Sequence, residues 1–546
     1  MFNIDNSFSR HLPQDNNHGG EPRQVQAAFA FVEPTPVRKP QVIAFSTEVA
    51  SLLDLDVSEF SSNETAAIFA GNKIIKNMHP YAVNYGGHQF GHWAGQLGDG
   101  RAITLCEIIN KLNERWEIQL KGAGKTPFSR SGDGRAVLRS SIREFLCSEA
   151  VHHLGIPSTR ALSLVETGEL IVRDMFYNGN PKEEPGAIVC RVAPTFLRFG
   201  NFELPSSRGN NKLLQQLVDY TIEHHFPHLL AQSLPASEEL YGSWFKEICE
   251  KTAYLVSEWM RVGFVHGVLN TDNMSVMGLT IDYGPYGWID NFDRKWTPNT
   301  TDADGLRYCF GNQPTIAHWN LYQLARAVRI LFQSDKPLQN GLDHFQKTYK
   351  ANEKRVISNK LGLSQGTEDD LSLMNKLYDL LELCEIDMTI FFTALNRLDI
   401  NSPDLSVFDE AFYSNEKKQK NIENKFKDAV EDDEDVPLLP YEIDNVSVKW
   451  KKIDIESTVG FVIVLIFFLS VIGFTSALRK KNGVKSYRTI QYERELKSPD
   501  INTKNWDLHK NRLTKFGRSQ YKGLTFFVSS EDRIYYLSAK GNKVYC

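Results

Sequence analysis

A chain of 546 residues, 41% hydrophobic and 24% charged, has material for a sizeable core and for roughly two to four domains. Its net charge of −5 excludes a global field for nucleic acid. The cysteines (Cys106, Cys147, Cys190, Cys249, Cys309, Cys384 and Cys546) show no C-x-x-C or zinc spacing, which excludes a disulfide framework or metal cluster and fits a reducing compartment.

The N-terminal MFNIDNSFSRHLPQDNN has two early aspartates and no apolar run, so it reads as neither a secretory signal nor a transit peptide. Residues 1–80 are punctuated by Pro34, Pro36 and Pro40, with short helices expected at Ser46–Leu55 and Asn63–Phe69. Asn84–Arg101, NYGGHQFGHWAGQLGDGR, follows. Its glycines let the backbone approach a ligand, and Gly98-Asp99-Gly100 forms a turn into an expected strand, Ala102–Ile108. Trp116–Lys121 alternates: Trp116, Ile118 and Leu120 face one way, Glu117, Gln119 and Lys121 the other. That pattern predicts a half-buried strand with Lys121 on its polar face. The GAGKT after it is not a P-loop, because Gln119 stands where the first glycine belongs and Pro127 interrupts the helix that should follow. Lys125 is therefore expected to be a solvated loop residue.

A second polar glycine loop, RSGDGRAVLR (Arg130–Arg139), leads into a helix predicted over Ser140–Leu154. Ser140 or Ser141 would cap it, and Ile142, Phe145, Leu146, Ala150 and Leu154 would form its apolar face. Glu144 falls outside that stripe. It reads either as an exposed carboxylate beside Arg143 or as the partner that orients a strand lysine in kinases. Glu169–Arg173 and Ala187–Val192 are expected strands. Arg191 and Arg198 flank a turn, as surface charges or as a clamp for phosphate oxygens. Lys212–Val262 and Trp319–Phe332 read as amphipathic helices, giving a strand-rich lobe before a helical one.

Between those helical segments lies HGVLNTDNMSVMGLTIDYG, His266–Gly284. Its two clusters, Asp272-Asn273 and Asp282-Tyr283-Gly284, offer hard oxygen ligands suited to Mg²⁺ or Mn²⁺ carrying a nucleotide's phosphates. Met277–Ile281 between them predicts a short strand or hairpin. A kinase catalytic loop reads H-R-D-x-x-x-x-N with D-F-G beyond it; His266, Asn273 and Asp282-Tyr283-Gly284 keep that spacing. The kinase base position is Val268, which takes no proton, and Asp272 is the nearby carboxylate.

These stretches, with QLKGAGKTPFSRSGDGRAVLRSSIREFL and CRVAPTFLRFG, resemble the selenoprotein O (YdiU) family over roughly residues 1–400. The resemblance implies a protein-kinase-like fold that binds ATP in a flipped orientation and transfers AMP, or in some bacterial members UMP, to protein hydroxyls. It implies nucleotide contacts at Gly98, Gly100, Arg101, Lys121, Asp133, Gly134, Arg191 and Arg198, with Glu144 as the partner of Lys121. It further implies Asp272 as proton acceptor and Asn273 and Asp282 as metal ligands, Asp282 also touching the nucleotide.

Beyond that, NEKKQKNIENKFKDAVEDDEDV (Asn415–Val436) departs from the family as a charged, linker-like run. Val459–Leu478 has twenty residues without a charge, enough to cross a ~30 Å hydrocarbon core. From Arg479 onward 16 Lys/Arg stand against 6 Asp/Glu. The positive-inside rule puts that tail in the cytosol, which conflicts with a nucleotide domain that needs ATP and has no signal peptide. Thr525–Val528 and Arg533–Leu537 are expected strands of a small basic unit.

The expected fold class is α+β: a kinase-like two-lobe fold plus a C-terminal transmembrane helix and tail. Its parts are an N-terminal extension (1–80), a strand-rich nucleotide-binding lobe (81–205), a helical lobe with the catalytic and metal loops (206–412), a charged linker (413–452), the membrane helix (459–478) and the basic tail (479–546). The expected activity is metal-dependent AMP transfer from ATP, or UMP from UTP, to Ser, Thr or Tyr of proteins, itself included. The catalytic domain is expected in the cytoplasm, with no nucleic-acid partner and with membrane anchoring through 459–478. A catalytically inactive nucleotide-binding scaffold is the rival from another class; an ordinary phosphotransferase is disfavoured by Val268.

Overall fold

Alternating apolar residues build the sheet that dominates the first half of the chain. In the computed structural model the strands are β1 (Phe29–Phe31), β2 (Gln41–Phe45), β3 (Tyr81–Val83), β4 (Gly86–Gln89), β5 (His92–Gln96), β6 (Ala102–Ile109), β7 (Arg115–Lys121), β8 (Ala136–Val137), β9 (Arg160–Arg173) and β10 (Lys182–Ala193). The structure describes residues 2–175, 179–231, 237–363, 367–383, 385–398, 405–413, 496, 506–522, 524–529, 534–537 and 543–545. They fall into two units: residues up to Ile289 with Asp293–Leu371, and Asp290–Phe292 with Ser372 onward.

In the first unit eight strands form one antiparallel sheet in the order β1-β3-β6-β7-β10-β9-β2, with β8 beside β10, while β4 and β5 pair separately as a hairpin. Residues 29–45 thus contribute two strands to the main sheet. The short helices α1 (Ser7–His11), α2 (Thr47–Leu52) and α3 (Asn63–Phe69) accompany it. Val49, Leu53, Phe60 and Phe69 share a core with Ile103, Leu105, Ile118, Leu120 and Ile188.

Two sequence expectations need correction here. The β7 strand is not half-buried: Glu117, Gln119 and Lys121 are as enclosed as Ile118 and Leu120, because the polar face lies inside the molecule. Helix α4 runs Leu138–His153, two residues earlier than expected, and has no side-chain cap. Its inward face is Ser141, Glu144, Phe145, Cys147, Ser148 and Val151, whereas Ile142, Leu146 and Leu154 point outward. The apolar count misplaced the stripe because the face against β9 and β10 is partly polar, built to carry a buried glutamate.

Beyond the sheet come α5 (Phe199–Ser207), α6 (Asn211–His225), α7 (Pro227–Leu230), α8 (Glu238–Val262), α9 (Gln313–Val328) and α10 (Lys336–Leu361). Leu214, Leu217, Ile222, Leu229, Leu255, Val256, Leu324 and Val328 fall in one core there, with Met260 partly buried against it. Strand β11 (Phe264–Val265) pairs with β12 (Gly287–Trp288), closing the chain between them into a loop. Met277–Ile281 in that loop is not a strand. Gly278 turns at φ 63°, and only Thr280 makes a bridge, to Ser158. Thr280 is pinned instead by Trp259 Nε1 at 2.9 Å and by its amide to the Pro157 carbonyl at 2.9 Å.

The second unit contains α11 (Glu368–Leu383) from Ser372 onward and α12 (Met388–Ala394), capped by Asp387 on the Ile390 amide at 2.8 Å. It also holds α13 (Trp506–Phe516) and a four-stranded antiparallel sheet of β13 (Arg518–Tyr521), β14 (Leu524–Val528), β15 (Ile534–Leu537) and β16 (Lys543–Tyr545). The charged run at 415–436 and the apolar segment Val459–Leu478 lie outside the described residues. Among the described residues no helix is long and apolar enough to cross a membrane. The fold class is therefore mixed α and β.

Candidate active site

The last residue of β7, Lys121, puts its Nζ 2.7 Å from Glu144 Oε2 of α4 and 3.1 Å from Asp282 Oδ1. Glu144 turns its other oxygen to Arg191 Nη1 at 3.0 Å, and Arg191 also donates to the Gln119 side-chain oxygen. The chain lysine–glutamate–arginine is buried throughout. Asp282 occupies left-handed backbone at φ 58°, tolerable for an aspartate, and its side chain is 38% exposed. Burial opposes its ionisation, but the charges of Lys121, Arg191, Arg198 and Arg101 outweigh that and hold its carboxyl far below the usual range.

Arg198 is buried at the start of α5. Its Nη1 donates to Tyr85 Oη and to the Asp272 carbonyl, both at 3.2 Å, its plane lies over the Tyr85 ring at 4.4 Å, and Asp99 stands 3.9 Å away. Asp272 sits in a 3-10 turn, Thr271–Asn273. Gln89 Nε2 donates to its Oδ2 at 3.3 Å, while Oδ1 is buried with no hydrogen-bond partner. Burial raises the Asp272 carboxyl to about 7, against the lowering effects of Gln89 and Arg198. The β4–β5 hairpin lies on this carboxylate. A Cβ at Gly87 would come within 2.4 Å of Asp272 Oδ1, and one at Gly200 within 2.0 Å of the Gly86 carbonyl, so bare backbone is required at both positions. The hairpin is tied down by the His88 amide to Thr271 Oγ1 at 2.7 Å and by His88 Nδ1 to Glu203 at 2.7 Å.

Asn273 donates its Nδ2 to the Val268 carbonyl at 2.9 Å, which fixes the amide and leaves its oxygen as the free end. His266 is buried and neutral; burial depresses it, and its Nε2 donates to the Ile281 carbonyl at 2.8 Å. The turn Gly98–Gly100 is stitched by Thr126 Oγ1 to the Asp99 carbonyl at 2.7 Å and by Ser129 Oγ to the Gly100 carbonyl at 2.5 Å. It joins the cluster through the Asp99 carboxylate, 3.5 Å from Gln119 Nε2. Asp133 and Gly134 belong to a neighbouring surface loop. Asp133 is engaged by Arg173 at 2.7 Å, and Gly134 lies against the Gly124 carbonyl, where a Cβ would come within 2.0 Å. Lys125 is exposed.

Sequence reasoning took the NYGGHQF glycines as a cover for phosphate; it did not single out Gln89 and Gly87 as neighbours of Asp272. Nor did it single out Asp99 or Gln119, although the alternation of β7 pointed to the latter. A cavity of ≈ 810 Å³ lies against Met277, Gly278, Lys251 and Tyr254 and is lined by none of the cluster. The chemistry sits with the charges instead. Asp282 and the Asn273 amide oxygen are hard donors, one of them fully ionised, which fits Mg²⁺ or Mn²⁺.

A strand lysine held by a helix glutamate, facing an aspartate ringed by cations, defines a nucleotide-handling enzyme, and the comparisons say which. A sequence model of the protein adenylyltransferase SelO family matches residues 21–454, past the stretch where the resemblance was expected to stop and across the charged run. The chain belongs to that family and is a protein nucleotidyltransferase. It is 58% identical over 415 residues to a protein nucleotidyltransferase YdiU of Xanthomonas axonopodis pv. citri, covering 76% of this chain and 79% of that one. It is likewise 58% identical over 414 residues to that of Tolumonas auensis, with the same coverage. A solved structure of ROP2 from Toxoplasma gondii, described as having a protein-kinase fold and no enzymatic activity, aligns over 62% of this chain and 96% of that one. The identity is 12% and the TM-score 0.25, too loose a superposition to bear on the fold.

Proposed function

We propose that this protein transfers AMP from ATP to serine, threonine or tyrosine hydroxyls of proteins, itself included. UMP from UTP is the variant reaction. The observation that carries the reading is the pairing of an ionised Asp282 ringed by Lys121, Arg191, Arg198 and Arg101 with a loop whose kinase-base position is Val268. In this reading the two lobes are kinase-like. The cations hold the outer phosphates deep in the cleft, and the α-phosphorus faces the acceptor. Asn273 and Asp282 would hold Mg²⁺ or Mn²⁺, which when bound neutralises phosphate charge. Lys121, oriented by Glu144, and the arginines bind the phosphates; Gly98, Gly100, Arg101, Asp133 and Gly134 complete the nucleotide contacts. Asp272, whose Oδ1 has no other partner, accepts the hydroxyl proton. The hydroxyl oxygen then bonds to the α-phosphorus as its bond to the bridging oxygen breaks, and pyrophosphate leaves. A supply of ATP puts this domain in the cytoplasm. Attachment through Val459–Leu478 would be seen as resistance to alkaline carbonate extraction, lost on truncation before Ile453.

The test uses the position of the label. With Mg²⁺ or Mn²⁺ and a protein acceptor, label from the α position of ATP becomes covalent and label from the γ position does not. Incorporation from the γ position alone would mean phosphotransfer. ATP binding with no incorporation from either would mean an inactive scaffold.

A further inference from the structure

Resting on that reading, the structure points to a site for the acceptor. We propose that Arg307 recognises an acidic side chain of the acceptor protein close to the modified hydroxyl.

The buried arginines of the cluster each stand by a carboxylate: Arg191 on Glu144 and Arg198 near Asp99. Arg307 does not. Among the described residues it forms no ion pair, and its Nε is buried without a hydrogen-bond partner. Neighbouring Asp302 spends both oxygens on backbone amides, those of Arg307 at 3.0 Å and Tyr308 at 2.7 Å. The guanidinium instead lies over the Trp319 ring at 4.6 Å and near that of Tyr308 at 5.7 Å. Aromatic faces fix its plane; Nε is enclosed and one contact goes to the Tyr308 side chain, so at this partly exposed residue it is the remaining Nη donors that are offered to a carboxylate.

The location is what ties this cation to transfer. Tyr308 Oη donates to Asn270 Oδ1 at 2.5 Å, in the loop that carries Asp272, and accepts from the Phe90 amide at 2.8 Å, at the tip of the β4–β5 hairpin. A Cβ at Gly91 would stand 3.4 Å from the Arg307 guanidinium. Arg307 therefore sits where the hairpin that covers Asp272 meets the catalytic loop. Phe90 and Trp93 on the same hairpin are 38% and 39% exposed, and supply apolar surface beside the charge. A cation with an aromatic backing and no internal anion fits a negatively charged segment.

The experiment compares two acceptor peptides that differ only in Asp against Asn beside the hydroxyl. It reads kcat/KM for α-label transfer and, without nucleotide, peptide binding by fluorescence anisotropy. The full-length protein is expected to prefer the acidic peptide by about tenfold, the size of one charge-assisted contact at a half-open site. Arg307→Ala should bring that ratio to about one, and Arg307→Glu should favour a lysine-bearing peptide instead. Thermal melts check folding, and Arg307→Gln, which keeps the aliphatic stem and a planar polar end without the charge, replaces any variant that does not fold. An acidic-to-neutral ratio that is the same in the native protein and in Arg307→Gln overturns the proposal. If no peptide is labelled at all, the transfer reading has failed, and the anisotropy ratio alone still decides whether Arg307 binds the acid.

Discussion

Two halves of the site treat their carboxylates in opposite ways. Around Lys121 every charge is answered: Glu144 holds Lys121 with one oxygen and Arg191 with the other, and Asp282 meets Lys121 under the field of four cations. Ten positions before Asp282 in the same loop, Asp272 is enclosed with a single side-chain donor on one oxygen and nothing on the other. The first arrangement lowers an acid's proton affinity and fixes geometry; the second raises it and leaves an atom ready to take a proton. Rigid binding of phosphates and acceptance of a proton are different tasks. In the proposed reaction they would fall to differently solvated carboxylates separated by ten positions.

The sharpest way to break this contrast is to remove charge from the saturated half. Asp282→Ala should abolish α-label transfer and metal-dependent ATP binding, and Lys121→Ala should lower transfer by ~10²–10³-fold, in the range for losing one preorganised charge contact. Glu144→Gln should also destabilise the fold by ~3–5 kcal/mol, because two buried cations lose their shared anion. Chemical denaturation beside the transfer assay reads both effects. Native-like turnover in Asp282→Ala would sink the metal assignment.

The other half predicts the reverse balance. Asp272→Asn should slow transfer by ~10²–10⁴-fold, as for a lost general base, while KM for ATP stays near the native value. Its folding stability should hold or rise, since the carboxylate removed is buried and half-satisfied. A large stability loss here would mean that Asp272 is structural.

How much of this was legible beforehand follows the same line. Asp272, Asn273 and Asp282 stand within one loop, so spacing alone gathered them, and the family resemblance supplied their expected roles. Lys121 was found by period-two alternation, which held; what alternation cannot tell is that both faces of β7 are buried. Glu144 was nearly lost, because the helix period counted Ile142 and Leu146 as inward when they point to solvent. An apolar stripe marks the core only where the core is apolar, and at a cleft the inward face is polar by design. Gln89 and Gly87 meet Asp272 across some 180 residues of chain. No local pattern encodes such a contact; only the glycine richness of NYGGHQF hinted that something close would pass over it.

Gly87→Ala tests that contact. The added methyl would stand 2.4 Å from Asp272 Oδ1, so either the hairpin lifts or the carboxylate turns. We expect about a 10–100-fold loss of transfer, in line with a displacement of about 1 Å at a reacting group. Gly95→Ala, in the same hairpin, has open space around its Cβ and serves as the control for backbone effects, though its φ of 72° adds some strain. Equal losses in the two would remove the Asp272 contact from the explanation.

The smallest effect concerns whether a raised carboxyl marks the site at all. Glu117, on the enclosed face of β7, is pushed up to about 8 by burial and by Glu107, its direct cross-strand partner. Glu107 already serves Arg115 at 3.0 Å and the Phe8 amide at 2.7 Å, so like charges opposite one another leave Glu117 to keep its proton. Asp272 and Glu117 therefore share a cause but not a position, and only Asp272 should govern turnover. The linkage has a definite sign. The folded protein holds a proton on Glu117 that the unfolded chain releases near 4.5, so this contribution to stability is complete below that pH and is lost as pH climbs to about 8. The loss is at most ~1.4 kcal/mol per pH unit. Glu117→Gln should keep the neutral shape and flatten the fall in stability between those values, with Asp99 and Asp272, also raised, retaining a residual slope. Urea denaturation at pH 5 and pH 8 measures it. A variant whose stability falls as steeply as the native protein's would show that Glu117 is ionised in the fold, and the comparison would then rest on Asp272 alone.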